Sequence, residues 1–264
     1  MWPPLGAAAG GIFSCDSVGL TVSASKATPF EHGALPAHRS LLYLPAWNAE
    51  VIAAARVLPC DAVILCLEDA TPAEQKADGR SIVAHALARG GFAARQVVVR
   101  VNSLDSEWGE ADLFAIMEYA PDVVLAPMIR SAEELAAYRR YLARETEIWA
   151  MVETAEAALR IDALCGGGLD ADLTALVLGT NDLARSLKAR PGPGREVLWP
   201  VFTTTIAAAR AHGLAVYDGI FMDVENEEGF VAQCRQAWEF GFDGKTLLSP
   251  RQIEACNAVF GPTK

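Results

Sequence analysis

A single (β/α)8 barrel, an α/β fold, is predicted for this chain by three observations. Eight short apolar runs alternate with eight amphipathic, Ala-rich stretches. The length of 264 residues and the hydrophobic content of 52% suit one such barrel, which typically needs about 250 residues. Charged residues gather just after the apolar runs, at the strand ends where barrel enzymes keep their chemistry. A doubly wound open sheet is the main rival. It usually carries a phosphate-binding glycine fingerprint after its first strand, and here Pro45-Ala46-Trp47-Asn48 follows instead.

The elements are taken in chain order. Residues 1–37 are rich in Gly, Ala, Ser and Pro without a sustained period and read as a loosely ordered leader. Leu5 to Cys15 faintly suggests a signal segment but lacks a basic start and a strong apolar centre. Residues 38–264 read as one barrel domain. Strands are predicted at Ser40–Pro45, Ala62–Leu67, Gln96–Val101, Val123–Met128, Ile148–Val152, Ala175–Gly179, Ala215–Ile220 and Lys245–Leu248. Each is a short apolar run, as expected of buried parallel strands. Helices are predicted at Ala49–Leu58, Pro72–Ala88, Gly109–Tyr119, Ser131–Glu145, Ala155–Leu164, Trp199–His212, Glu227–Phe240 and Pro250–Val259, with a short one at Asp182–Lys188. Gly166-Gly167-Gly168 follows a helix and reads as a turn rather than a nucleotide loop. The Gly/Pro loop Ala189–Arg195 is either a lid at the barrel mouth or an ordinary surface connection.

Composition excludes several classes of function. With 22 basic and 33 acidic residues the formal charge is −11, and no Lys/Arg cluster offers a surface to nucleic acid or an anionic membrane. An anionic substrate must therefore be held by a metal or a specific Arg. No apolar run approaches the roughly 18 residues of a spanning helix. The six cysteines, at 15, 60, 66, 165, 234 and 256, have no Cys-x-x-Cys spacing. They read as reduced thiols of a cytoplasmic protein, with Cys60 and Cys66 in the core.

Strand ends supply the candidate site: Glu68-Asp69 after the second strand, Arg100 and Asn102 on the third, and Met128-Ile129-Arg130 after the fourth. Then come Glu153 after the fifth, Asn181-Asp182 after the sixth, Asp218 and Asp223 on and after the seventh, and Ser249 after the eighth. Glu153 and Asp182, converging at one mouth, are what Mg²⁺ takes from a protein when substrate and water complete its shell. The alternative is that each caps the helix behind it. Arg100 stands in an otherwise apolar strand and needs a partner. Either it pairs with Glu68 or Glu153, or its planar fork clamps a substrate carboxylate or enolate oxygen. The four histidines, at 32, 38, 85 and 212, avoid the strand ends, so Ser-His-Asp or Cys-His chemistry has little support.

From Arg39 to Phe260 the chain resembles the citrate lyase beta-subunit and malyl-CoA lyase family, Mg²⁺-dependent barrel lyases related to class II pyruvate aldolases. The resemblance rests on Arg39-Ser-Leu-Leu-Tyr-Leu-Pro45, on Leu67-Glu-Asp-Ala70 with Lys76 and Arg80, on Val99-Arg-Val-Asn102 and on Val152-Glu-Thr-Ala155. It continues in Gly179-Thr-Asn-Asp-Leu183, Asp218 and Gly244-Lys-Thr-Leu-Leu-Ser-Pro-Arg-Gln-Ile253. It implies that Glu153 and Asp182 ligate Mg²⁺, that Glu153 also faces the substrate, and that Arg100 contacts its keto-acid portion. Glu68 and Asp69 would lie by the metal waters, where either could take a proton. The implied reaction cleaves or forms a 3-hydroxy acid thioester such as citryl-CoA or malyl-CoA, giving a keto acid such as oxaloacetate and an acyl thioester. The acyl carrier would be coenzyme A or a carrier protein, and the assembly a trimer or hexamer. A pyruvate aldolase acting on free hydroxy-keto acids and a non-catalytic barrel subunit are the alternatives. The chain departs from the family pattern at Cys66, where Asp is usual, at Met128 and Arg130, where Lys and Glu are usual, and at Ser249, where His is usual.

Overall fold

Eight parallel strands close into a barrel, in chain order, within residues 38–261, the part of the chain that the computed structural model describes. The leader reading of 1–37 lies outside these residues. β1 (Ser40–Pro45) leads to α1 (Ala49–Ala54), β2 (Ala62–Cys66) to α2 (Lys76–Arg89), β3 (Gln96–Arg100) to α3 (Gly109–Ile116), and β4 (Val123–Ala126) to α4 (Ala132–Arg139). β5 (Glu147–Val152) is followed by α5 (Ala155–Leu159) and α6 (Ile161–Gly168), and β6 (Leu173–Leu178) by α7 (Thr180–Ser186) and α8 (Trp199–Ala211). β7 (Ala215–Asp218) precedes α9 (Glu227–Phe240), and β8 (Gly244–Leu247) precedes α10 (Ile253–Val259). The eight expected strand–helix units are all present.

Alternate strand residues divide the core in two. Leu41, Ile64, Val98, Leu125, Trp149, Val177 and Tyr217 pack inside the barrel. Leu42, Leu65, Val99, Val124 and Val216 face outward into the larger cluster shared with the helices. Both faces are dry, which is why each strand reads as a continuous apolar run. Three helices, α1, α5 and α9, start on side-chain caps: Asn48 accepts from the amide of Val51, Thr154 from Ala157 and Asn226 from Gly229. Each cap satisfies an amide that the first helical turn leaves unpaired.

Two expectations are corrected. The helix expected over Ala155–Leu164 breaks at Arg160, whose φ/ψ of −117°/18° is not helical. The glycines at 166–168 are the end of helix α6 itself rather than the turn expected after it. A Cβ on Gly167 would come within 2.7 Å of the Ala132 Cβ, and one on Gly168 within 2.7 Å of Leu173 Cδ2. Small residues are needed there because α6 sits against its neighbours at close range.

The barrel closes where β1 meets β8. Ser40 pairs with Lys245, and the Lys245 amide donates to Arg39 O at 2.9 Å. Beneath, Asp61 accepts from the amide and side chain of Arg39 at 2.8 Å. Burial alone would raise its carboxyl pKa, but the Arg39 hydrogen bonds hold it below the usual range. His38 closes the same end, its Nδ1 3.0 Å from Tyr217 Oη, and burial lowers its pKa to about 4. Among the described residues no helix is long and apolar enough to cross a membrane, and five cysteines are free.

The closing seam generates a stability prediction. A Cβ at Gly244 would stand 1.9 Å from His38 O and 2.7 Å from Arg39 O, both backbone atoms, the second of which accepts from the Lys245 amide. Gly244→Ala is expected to cost about 2–3 kcal/mol, measured as a lowered urea midpoint with an unchanged m-value.

Candidate active site

At the C-terminal ends of the strands a cavity of about 380 Å³ opens, with Tyr43, Asp69, Arg100, Asp182, Arg185 and Met222 in its walls. Arg100 comes from the end of β3 and is 7% exposed. Its Nε and Nη2 donate to Cys66 Sγ at 3.1 and 3.0 Å, and its carbon centre lies 4.8 Å from the middle of the Tyr43 ring. Nη1 is 2.9 Å from Glu68 Oε2, an ion pair that is not aligned as a hydrogen bond. Asp69 Oδ2 lies 3.5 Å from the same nitrogen. Burial opposes the charge, but Cys66, Tyr43, Glu68 and Asp69 together hold the guanidinium protonated. The expected structural pair is therefore with Glu68, and the guanidinium still reaches the cavity.

Glu68 sits in a crowded anionic corner. Burial raises its pKa first, Arg100 opposes that, and the charge of neighbouring Asp69 raises it again. The net direction is upward. The segment is held from behind by Lys76, whose Nζ donates to Leu67 O at 2.8 Å, Glu68 O at 3.0 Å and Asn102 Oδ1 at 2.8 Å.

Glu153 follows β5 and is 3% exposed. It is not a cap, since Thr154 caps α5. Its Oε1 accepts from the Met128 amide at 2.6 Å. Met128 reaches that position with a φ of 56°, a conformation unfavourable for a side chain with a Cβ, of the kind that persists where the surroundings demand it. Gly179, paired through its amide with Val152 O, leaves room for the other oxygen: a Cβ there would stand 2.3 Å from Glu153 Oε2. Burial pushes the Glu153 carboxyl up to about 7; the Met128 amide and Arg100 pull it down, and Glu68 and Asp69 push it further up. No ion pair reaches Glu153 among the described residues.

Asp182 lies in the first turn of α7, three residues beyond Gly179. It too is no cap for the helix start, because Gly179 makes no side-chain cap bond. Its carboxylate is engaged by Arg185, one turn on.

These residues fit a bound Mg²⁺. Glu153 is a buried carboxylate surrounded by other carboxylates and without a paired cation, the condition a divalent ion relieves. The donors are oxygens, the preference of a hard ion. Among the described residues no group of three or more His, Cys, Asp or Glu could hold a metal. Glu153 and Asp182 are the residues that would hold such an ion, with water and substrate in its remaining positions.

Other strand-end candidates are elsewhere. Asp218 follows inward-facing Tyr217 and so points outward into the helix layer, fully buried between Arg195 Nη1 at 2.7 Å and Lys245 Nζ at 2.6 Å. This pairing also anchors the end of the Ala189–Arg195 loop, which contributes nothing to the cavity walls. Asn102 accepts from Lys76 and donates to Asp112. Arg130 pairs with Asp105 and Glu134 at the surface, Asp223 is exposed, and Ser249 caps the turn before α10. The cavity is also lined by Tyr43, Met151, Arg185, Met222 and Leu248, none of which a charge at a strand end marks. Arg185 had a signal: it stands three residues after Asp182 on a predicted helix, where side chains meet.

Residues 39–250 match the HpcH/HpaI aldolase/citrate lyase family. A protein named (3S)-malyl-CoA thioesterase from Cereibacter sphaeroides (strain KD131) is 40% identical over 225 residues, covering 85% of this chain and 78% of that one. The citrate lyase subunit beta of Escherichia coli (strain K12) is 32% identical over 235 residues, covering 86% and 78%. Among solved structures, the Mycobacterium tuberculosis citrate lyase beta subunit complexed with oxaloacetate and magnesium superposes with a TM-score of 0.75 at 26% identity, covering 86% of this chain and 98% of that one. Its counterpart with magnesium, acetoacetate and coenzyme A gives 0.74 at 27% identity, covering 86% and 82%.

Glu153 sets a pH dependence for the metal-free protein. Its pKa is about 7 when folded, against an ordinary value of 4.5. A raised pKa means the folded state holds the proton more tightly, so this contribution is present at low pH and is lost as pH rises through about 5 to 8. In EDTA, the urea midpoint of the wild type should fall over that range more steeply than that of Glu153→Gln, which stays neutral. Equal slopes would count against a raised pKa at Glu153.

Proposed function

This chain belongs to the HpcH/HpaI aldolase/citrate lyase family, and from its site we propose that it is a Mg²⁺-dependent carbon–carbon lyase acting on a 3-hydroxy acid thioester such as malyl-CoA or citryl-CoA. The observation that carries the proposal is the pairing of opposites at one mouth. A deeply buried carboxylate without a paired cation, Glu153, packs against Gly179 in the cavity wall that also carries Asp182, and a buried guanidinium, Arg100, lines that cavity. Glu153 and Asp182 would hold the ion, with Glu153 also bordering the substrate. When bound, Mg²⁺ supplies Lewis acidity to the substrate oxygens and a template for them.

The chain's own residues do the rest. Arg100 is already oriented by Cys66 and Tyr43, so it meets negative charge on the keto-acid fragment without reorganising, which is where a fixed donor helps most. The Glu68–Asp69 pair takes the proton of the substrate's 3-hydroxyl. Asp69 lines the cavity, while Glu68 is held against Arg100 with its pKa raised by burial, which makes it a stronger proton acceptor than an ordinary carboxylate. As the hydroxyl becomes a carbonyl, the carbon–carbon bond breaks. Its electron pair leaves on the thioester enolate, and protonation of that carbon gives the acyl thioester.

A second reading is hydrolysis of the thioester, favoured by the relatives at 38–40% identity that are named (3S)-malyl-CoA thioesterase. It keeps the metal and the substrate and changes the bond broken, with the Glu68–Asp69 pair taking its proton from water instead. A pyruvate aldolase and a non-catalytic subunit keep the fold and lose the thioester or the chemistry.

The test is product analysis of malyl-CoA and citryl-CoA turnover, with and without Mg²⁺. Keto acid released together with an acyl-CoA supports the lyase; free thiol released together with the intact hydroxy acid supports the hydrolase. Glu153→Ala and Asp182→Ala are each expected to lower kcat/KM by at least about a hundredfold. Metal-independent turnover, or turnover that survives both substitutions, would overturn the site. Cleavage confined to free hydroxy-keto acids would select the aldolase.

A further inference from the structure

The cavity holds a second guanidinium for which the lyase or hydrolase scheme has no use. Arg185 lies on α7 one turn after Asp182, lines the cavity and has a side chain 76% exposed. Its ion-pair partner among the described residues is the Asp182 carboxylate, 28% exposed. Arg185 thus stands where a metal's charge would be used, as the resident counter-ion of a proposed ligand. An exposed pair within one helical turn is weak: losing it shifts an equilibrium by about fivefold or less. A divalent ion held by Asp182 would take over that carboxylate's charge and would repel the guanidinium, which sits on a long flexible stem.

We infer that Arg185 is a metal-released anion-binding residue. Without the ion it neutralises Asp182; with the ion bound, it is freed into the cavity wall to hold an oxyanion of the substrate. This rests on Asp182 being a metal ligand. The displaced charge gives metal and anionic substrate a positive coupling that must be reciprocal. The oxyanion is either the distal carboxylate of the acyl group or a phosphate of its carrier, both of which a guanidinium fork fits.

The experiment titrates Mn²⁺, a spectroscopic stand-in for Mg²⁺, into the EDTA-treated full chain, following free Mn²⁺ by electron paramagnetic resonance. Wild type should bind one ion, and Asp182→Asn should lose it. Arg185→Gln, with no competing cation, should bind about two- to fivefold more tightly, and Arg185→Lys should return toward wild type. Malate added to wild type should tighten Mn²⁺ binding and should do so less in Arg185→Gln. In steady state, Arg185→Gln should raise KM with little change in kcat, the pattern of lost uniform binding. A rise for both malyl-CoA and the phosphate-free malyl-pantetheine identifies the carboxylate; a rise for malyl-CoA alone identifies the phosphate. If wild type binds no Mn²⁺, the metal site itself fails and the inference with it. If wild type binds and Arg185→Gln binds equally or more weakly, the inference alone is overturned.

Discussion

A guanidinium buried in the mouth of an apolar barrel has to be stabilised from several sides at once, and the arrangement around Arg100 follows from that demand. Isolated burial of such a charge is prohibitive. Tyr43 gives it a ring face, Cys66 two contacts through one sulfur, and Glu68 a full opposite charge. The result is a cation fixed in place before any substrate arrives. Fixing it crowds carboxylates together, because Glu68, Asp69 and Glu153 then share one small region. The raised pKa of Glu153 is the electrostatic consequence of its burial and of that crowding. A divalent ion resolves the same imbalance, so structural strain and proposed cofactor have a common origin.

The strand ends are held from outside the barrel by two buried polar networks. Behind β2 and β3, Lys76 ties two carbonyls and Asn102, and Asn102 in turn donates to Asp112, which Arg80 neutralises. Behind β7 and β8, Asp218 joins Arg195 and Lys245, and Lys245 also donates to Gly219 O and Gln233. Neither network lines the cavity. Each is well satisfied, as buried charges must be to avoid a large desolvation cost. Their effect is to fix loops that would otherwise move: the Glu68–Asp69 segment on one side, and the Thr246 and Ile220 wall on the other. Lys76, Asp218 and Lys245 therefore brace the strand ends without lining the cavity.

What was legible in the chain depended on periodicity and on the direction of side chains. Alternation of strand and helix made the barrel readable, along with Arg100 and Glu153, because a charge next to an apolar strand stands out. Asp218 stood out equally and was placed on the wrong side. Strands buried on both faces show no polar alternation, so their inward and outward positions look alike. Tyr43 and Met151 were missed for the same reason: an inward apolar residue near the mouth looks like any core residue.

From the sequence alone came the eightfold unit, the acids and the arginine at strand ends, the absence of histidine from those ends and the family resemblance. All of these depend on residue type and order along the chain. Tertiary structure alone decided which acids share a cavity, which are neutralised elsewhere, that Cys66 and Glu68 hold Arg100, and that Arg185 occupies Asp182. Such facts depend on distances between segments far apart in the chain, and on whether a charge is dry or wet, which local sequence does not encode.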